Sequence, residues 1–284
     1  MDNSYLAKPN APAMIKMIIH ALKRYAWFKR FNAKVTYELL AKHIPVAEWQ
    51  FMNYGYIPNQ NEPQLQLPDD PNLQRFSLQM YHYLATKTDI AGKVVLEVGS
   101  GRGGGAKYIA GSLKPSSYTG MDLAQSAVDL ANKIHVLPNL KFIQGSAEAI
   151  PLMDNSIDVV VNVESCHAYG SVDKFLSEVR RVLKPGGHLL LVDFRNEENV
   201  ENMDTLKRQL RDSGLTMLEE EDISNNVIQS IEAEDESKKK RIERLIPKKW
   251  QKLFAEFAGV VGSRFYETLK QGTRKYYRFV LQKP

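Results

Sequence analysis

The chain has 284 residues, 43% apolar and 25% charged, enough to bury a sizeable core in one large domain or two small ones. Its formal net charge of +5 permits an acidic substrate or a membrane surface without requiring nucleic acid. One cysteine, Cys166, excludes an internal disulfide; with no run of about 18 apolar residues and no signal-peptide pattern, a cytoplasmic location is expected.

Residues 1–89 read as a mainly helical cap. Within it, 13–34 interleaves Ile15, Ile18, Ile19, Leu22 and Trp27 with Lys16, Lys23, Arg24, Lys29 and Arg30. A basic amphipathic helix of this kind packs on the core or lies on an anionic membrane, with packing the plainer reading. The helical pattern continues over 35–47, FMNYGYIP breaks it, 60–71 is a proline-rich loop, and 72–88 is helical again. Residues 90–221 alternate apolar runs and helical patterns. Strands are predicted at 93–98, 118–121, 140–144, 157–163, 188–193 and 215–219, and helices at 103–112, 124–136, 172–183 and 203–213. Such strands predict a parallel sheet covered on both faces. Residues 222–272 carry a charged helical stretch over 222–258, and 273–284 end in an aromatic-rich strand at 274–282. That order predicts a helical lid inserted before one last core strand.

The loop after the first strand holds five glycines between Gly99 and Gly105 and opens a helix. Glycine there lets backbone approach a ligand, and the helix amides receive a negative group. Asp122 follows Gly101 by 21 residues, the spacing of a carboxylate that accepts both ribose hydroxyls. Taken alone, this also suits a nicotinamide cofactor. Glu97 precedes the glycines as Glu-x-Gly-x-Gly, and GSAEAIP after the third strand sets Ala147 and Glu148 where an adenine ring is held.

In LEVGSGRGGG, MD at 121–122, QGSAEAIP, IDVVVNV and RRVLKPGGHLLLVDF, the chain resembles class I methyltransferases dependent on S-adenosylmethionine, over about 92–194. FMNYGY, NVESCHAYG and LFAEFAGVVGSRFYE add a similarity to bacterial O-methyltransferases of small molecules, those of phthiotriolone-type lipids and microcystin-type peptides. The resemblance implies an α/β, Rossmann-like fold: a seven-stranded, mostly parallel sheet with the last strand antiparallel, a helical cap and a late helical insertion. It implies S-adenosylmethionine as cofactor and methyl transfer to a hydroxyl of a small or lipid-like natural product (polyketide, peptide or glycolipid). By position it implies that Glu97, Gly99, Ser100 and Gly101 line the methionine and ribose, and that Asp122 holds the ribose hydroxyls with Leu123 beside the adenine. Ser146, Ala147 and Glu148 would meet the adenine edge. Asn162 and Val163 would lie under the sulfonium, and Tyr54 and Tyr56 would close over the cofactor.

A hydroxyl is a weak nucleophile until it loses its proton, so a general base is wanted near the fourth strand's end. His167 in ESCHAYG is the candidate for that base, a helix-capping or packing histidine being the alternative. Glu164 orients its ring or binds the cofactor's ammonium group, and Tyr169 shapes the pocket. Of the other histidines, His82 reaches the pocket from a capping helix if any does. Cys166 reads as a small buried residue. Arg195 meets an anionic acceptor or a nearby acid, both readings being open. No clustered carboxylates suggest a metal. Residues 238–241 read as a solvated helix face, and Trp250, Phe254 and Phe257 as lid core or pocket wall rather than a base-stacking platform. Carbon methylation, a non-catalytic cofactor-binding role, the acceptor's identity and the oligomeric state, homodimer included, stay open.

Overall fold

The computed structural model describes residues 49–62, 64–67 and 73–284. The helices expected over 13–34 and 35–47 lie outside these. In chain order the elements are α1 (Arg75–Ala85), β1 (Val94–Val98), α2 (Gly104–Ser112), β2 (Ser117–Asp122), α3 (Gln125–Ile134), β3 (Leu140–Gln144) and β4 (Ile157–Val163). A short 3-10 turn at Cys166–Ala168 follows, then α4 (Val172–Val182), β5 (Leu183–Asn196), α5 (Met203–Asp212) and β6 (Thr216–Asp222). Three helices, α6 (Ser224–Leu245), α7 (Lys248–Ala258) and α8 (Arg264–Lys270), separate β6 from β7 (Arg274–Gln282). Side-chain oxygens of Ser171, Asn202 and Ser263 cap α4, α5 and α8 by accepting backbone N–H bonds.

Among the described residues, seven strands form one sheet in the order β3-β2-β1-β4-β5-β7-β6, parallel except for β7, which is antiparallel to both neighbours. This is the Rossmann-like sheet expected. Strand alternation splits the interior in two. Val95, Val159 and Val161 face one core with Ile109 and Tyr81, while Leu96, Val98 and Val160 face another with Phe175 and Val179.

Two elements differ from expectation. β5 starts at Leu183, so the Lys-Pro-Gly-Gly stretch is the irregular start of a strand; the register shifts between Ile157 and Val159 as Gly186 takes a positive φ. β6 runs through Glu219–Glu221, acids that alternation leaves as an edge strand. Arg278 on β7 pairs with Glu219 and Glu221, which makes the acidic edge tolerable. The run 238–241 is only half solvated: Lys238 and Arg241 are buried against Glu234, while Lys239 and Lys240 are exposed.

Candidate active site

Strand order reverses between β1's two neighbours, β2 and β4, and the carboxyl ends there open a crevice. The crevice has a cavity volume of about 140 Å³ and an open side. Its floor is Gly99–Gly101 from the β1 loop, and its walls are Asp122 and Leu123 after β2, Ser146–Glu148 after β3, and Val163, Glu164 and His167 after β4. Tyr54 and Phe257 reach it from either end of the chain.

The glycines divide their work. Gly101 has φ +52° and nothing within 4 Å of where a Cβ would stand, so its bare backbone faces open space. Gly105 is a packing glycine: a Cβ there would lie 2.0 Å from the Tyr81 ring, which α1 lays across α2. Asp122 is fixed by the loop it serves, accepting from Gly101 N–H at 2.8 Å and from Ala124 N–H at 2.9 Å. A carboxylate has about four acceptor sites, enough in general for backbone donors and ligand hydroxyls together. Ser100 Oγ is buried on the crevice wall without a hydrogen-bond partner among the described residues. Glu148 Oε1 accepts from Gly170 N–H at 2.9 Å, tying the β3 loop to the turn after His167.

Tyr54 lies in a segment clamped between α1 and α6. Gln74 bonds both the N–H and C=O of Phe51, and Ser230 Oγ donates to Tyr54 C=O. The Tyr54 ring stacks on Phe265 at 3.7 Å, and its hydroxyl donates to Phe257 C=O at 3.2 Å.

Four expected residues do not line the crevice. Glu97 shares the face of Val95 by alternation, and its two oxygens accept from Tyr81 and Tyr118 hydroxyls at 2.8 and 2.9 Å. Burial pushes its carboxyl up to about 7 despite those donors. Asn162 faces the opposite core and donates to Val98 C=O, which buttresses the glycine loop from behind. Tyr56 is buried, stacked on Tyr83 at 4.0 Å and bonded to Glu62, because the backbone turns at Gly55. His82 bonds the Tyr108 hydroxyl on α2 instead.

At the reacting end, the turn after β4 presents His167. Its Nδ1 lies 2.8 Å from Asp193 Oδ1, and its own N–H donates to Asp193 Oδ2 at 2.9 Å. Phe194 stacks under the ring at 4.3 Å. Burial alone would raise the Asp193 carboxyl, but His167 and Arg195 outweigh it and hold the group well below the usual carboxylate range. An ionised Asp193 accepts, so Nδ1 carries a hydrogen, and in the neutral ring Nε2 is then the nitrogen with the lone pair. Arg195 therefore serves the acid, 3.3 Å from Asp193 Oδ2, rather than an acceptor. Cys166 is buried, as expected, and burial pushes its thiol well above the usual range.

Glu164 does not orient His167; that acid is Asp193, which sequence reasoning left unassigned although it ends the strand beside β4. Glu164 sits at φ +47°, uncommon for a side chain and a mark of local strain. Its Oε1 accepts from Tyr54 N–H at 2.8 Å and from the Tyr276 hydroxyl. Burial raises its carboxyl to about 8 against the pull of those donors. Among the described residues, no group of three or more His, Cys, Asp or Glu is arranged to hold a metal ion.

Residues 96–191 match the model of a methyltransferase domain family. The chain is 34% identical over 281 residues to a fatty-acid O-methyltransferase of Mycolicibacterium smegmatis, covering 96% of this chain and 99% of that one. The chain belongs to the class I S-adenosylmethionine-dependent methyltransferases. This methyltransferase is also 36% identical over 251 residues to a phthiotriol/phenolphthiotriol dimycocerosates methyltransferase of Mycobacterium tuberculosis, covering 87% and 90% of the two chains. In fold it is similar to the cyclase SpnF, with TM-score 0.68, 22% identity and 89% and 95% coverage. A geranyl diphosphate C-methyltransferase of Streptomyces coelicolor also shares the fold, with TM-score 0.63, 15% identity and 87% and 98% coverage. The cofactor is S-adenosylmethionine, and the crevice suits it: open space at Gly101 lets a ligand come close, and the Ser100 hydroxyl, without a partner among the described residues, and the anchored Asp122 carboxylate are polar groups that a ribose and an amino acid can meet.

Proposed function

We propose that the methyltransferase places a methyl group on a hydroxyl oxygen of a lipid-like acceptor. The observation that carries this is the His167–Asp193 pair in the crevice wall. A carboxylate acceptor is already anionic and needs no base; a hydroxyl does, and a positioned histidine contributes roughly 10²–10⁴-fold. The fatty-acid relative favours a carboxyl acceptor as the second reading, since it shares 34% of its residues with this chain.

In this reading Asp122 and Leu123 hold the ribose and adenine, Ser146, Ala147 and Glu148 the adenine edge, and Gly99–Gly101 the methionine portion. Val163 underlies the reacting centre. Glu164 faces the cofactor's positive charge. When bound, S-adenosylmethionine supplies an electrophilic methyl for in-line displacement. The chain's part is alignment and drying. Phe194 and Phe257 give the acceptor side an aromatic wall that suits an apolar chain and excludes water, while Tyr54 closes over the cofactor. His167 Nε2 takes the hydroxyl proton, while Asp193 holds the ring's tautomer and orientation.

The test is product mass spectrometry with matched lipids bearing a free hydroxyl, a methyl-blocked hydroxyl or a carboxyl. Hydroxyl methylation alone is expected, with His167→Ala and Asp193→Asn each lowering kcat on the order of 100-fold and leaving KM within about threefold. Methylation of the blocked lipid would replace oxygen by carbon as the acceptor. Carboxyl methylation indifferent to both variants would establish the second reading.

A further inference from the structure

Helix α7, KKWQKLFAEFA, has an outward face that the described residues leave uncovered. Trp250 is 51% and Leu253 63% exposed. With Phe257 they follow i, i+3, i+7, so the three form one stripe. Its inner end, Phe257, is a wall of the cofactor crevice. Lys248, Lys249 and Lys252 are all exposed and border the stripe. The inner face is fixed separately: Phe254 packs edge-on against Trp49 at 4.9 Å, and the Tyr54 hydroxyl and Lys238 hold Phe257 and Ala258 carbonyls. The helix is thus secured at the crevice and bare at the far end.

Within the helix, Lys249 Nζ lies 5.7 Å from the Trp250 ring centroid, and the three lysines gain little else there. They sit toward its N-terminal end, where the macrodipole is already positive, and no acid in the first turn offsets them. They serve a partner that is negative and takes Trp and Leu at the same time. From the geometry we infer that α7 docks on an anionic lipid surface: the Trp250–Leu253 stripe enters the headgroup boundary, the lysines meet lipid phosphates, and the crevice mouth faces the bilayer. A second copy of the chain is a poor occupant, because an isologous contact would bring two sets of three lysines together.

The inference deepens the lipid-acceptor reading and rests on it for the purpose of docking. Docking itself is measured without acceptor, so either can fail alone. The experiment is flotation of the full chain with large vesicles of phosphatidylcholine, alone or mixed with phosphatidylglycerol. Binding is expected on the mixed vesicles, at least about tenfold above phosphatidylcholine alone. Trp250→Ser with Leu253→Ser should weaken it on the order of 30-fold. Lys248→Gln, Lys249→Gln and Lys252→Gln together should weaken it about 100-fold. Unchanged affinity for S-adenosylhomocysteine in both variants shows that they fold. Equal binding to the two vesicle types would overturn the inference, as would binding indifferent to both variants, which would place the contact in residues 13–34. A dimer that Trp250→Ser dissociates, with no vesicle binding, would give the face to a second copy and overturn it equally.

Discussion

A carboxyl group buried beside a charged ligand site changes its proton with its occupant, and Glu164 is such a group. With the crevice empty, burial holds it near 8, so at neutral pH it is largely protonated. The sulfonium and ammonium of S-adenosylmethionine favour the carboxylate, so binding releases a proton below about pH 8. Affinity for S-adenosylmethionine should therefore rise with pH up to about 8, by up to about tenfold per unit, and level off above it. S-adenosylhomocysteine, lacking the sulfonium charge, should show a shallower rise, and Glu164→Gln a flat line. Calorimetry at neutral pH in buffers of different ionisation enthalpy reads the proton directly; its absence in the wild-type chain would remove Glu164 from the cofactor's charge. The stability sign follows from the same shift: the folded carboxyl sits above its unfolded value, so its contribution is present below about 4.5 and is lost as pH rises through about 8. ESCHAYG placed a histidine and an acid after β4. It did not show which acid holds the histidine, because Asp193 is 26 residues away and only the β4–β5 pairing brings it to His167.

At the scale of elements, the glycine-rich turn between β1 and α2 was legible as a ligand loop, from the strand before it, the helix after it and Asp122 beyond. The role of each glycine was not, because packing against α1 is a tertiary fact. Two single substitutions separate the roles. Gly101→Ala puts a methyl into the open crevice and costs roughly 1–2 kcal/mol for its positive φ. It should weaken S-adenosylhomocysteine more than about tenfold with a modest loss of stability. Gly105→Ala drives a methyl into the Tyr81 ring, an overpacking worth about 1–3 kcal/mol. It should lower Tm by several degrees and weaken binding less than Gly101→Ala does. Paired titration and thermal melts measure both; equal binding losses would mean that the loop responds as one body. Helix α6 shows the opposite limit of sequence reading. Its lysine run looked solvated, yet Glu234 takes Lys238 and Arg241 into a buried cluster, which periodicity does not reveal when the apolar stems of charged side chains do the packing.

For the molecule as a whole, strand order and parallelism were readable because apolar runs alternated with helices. The convergence that makes the crevice was not: its lining runs from Gln50 to Phe257, through the clamped segment before α1, Tyr81 on α1, the carboxyl ends of β1 to β5, and α7. Tyr54 shows the consequence. One residue bonds Glu164 in the sheet domain, Phe257 in the late helices and Ser230 on α6, so the roof and the sheet meet in a single side chain and its backbone. A ligand filling the crevice is held by all three parts and stabilises them together. At 100 times its Kd, S-adenosylhomocysteine should add about 2.7 kcal/mol, which for a chain of this size raises Tm by at least about 5 °C. The same ligand should slow amide hydrogen exchange at Tyr54 as well as at Gly101, since Tyr54 N–H already rests on Glu164. A rise in Tm with protection confined to the glycine loop would mean that the roof closes on the acceptor and not on the cofactor, and would move Tyr54 from the cofactor's contacts to the acceptor's.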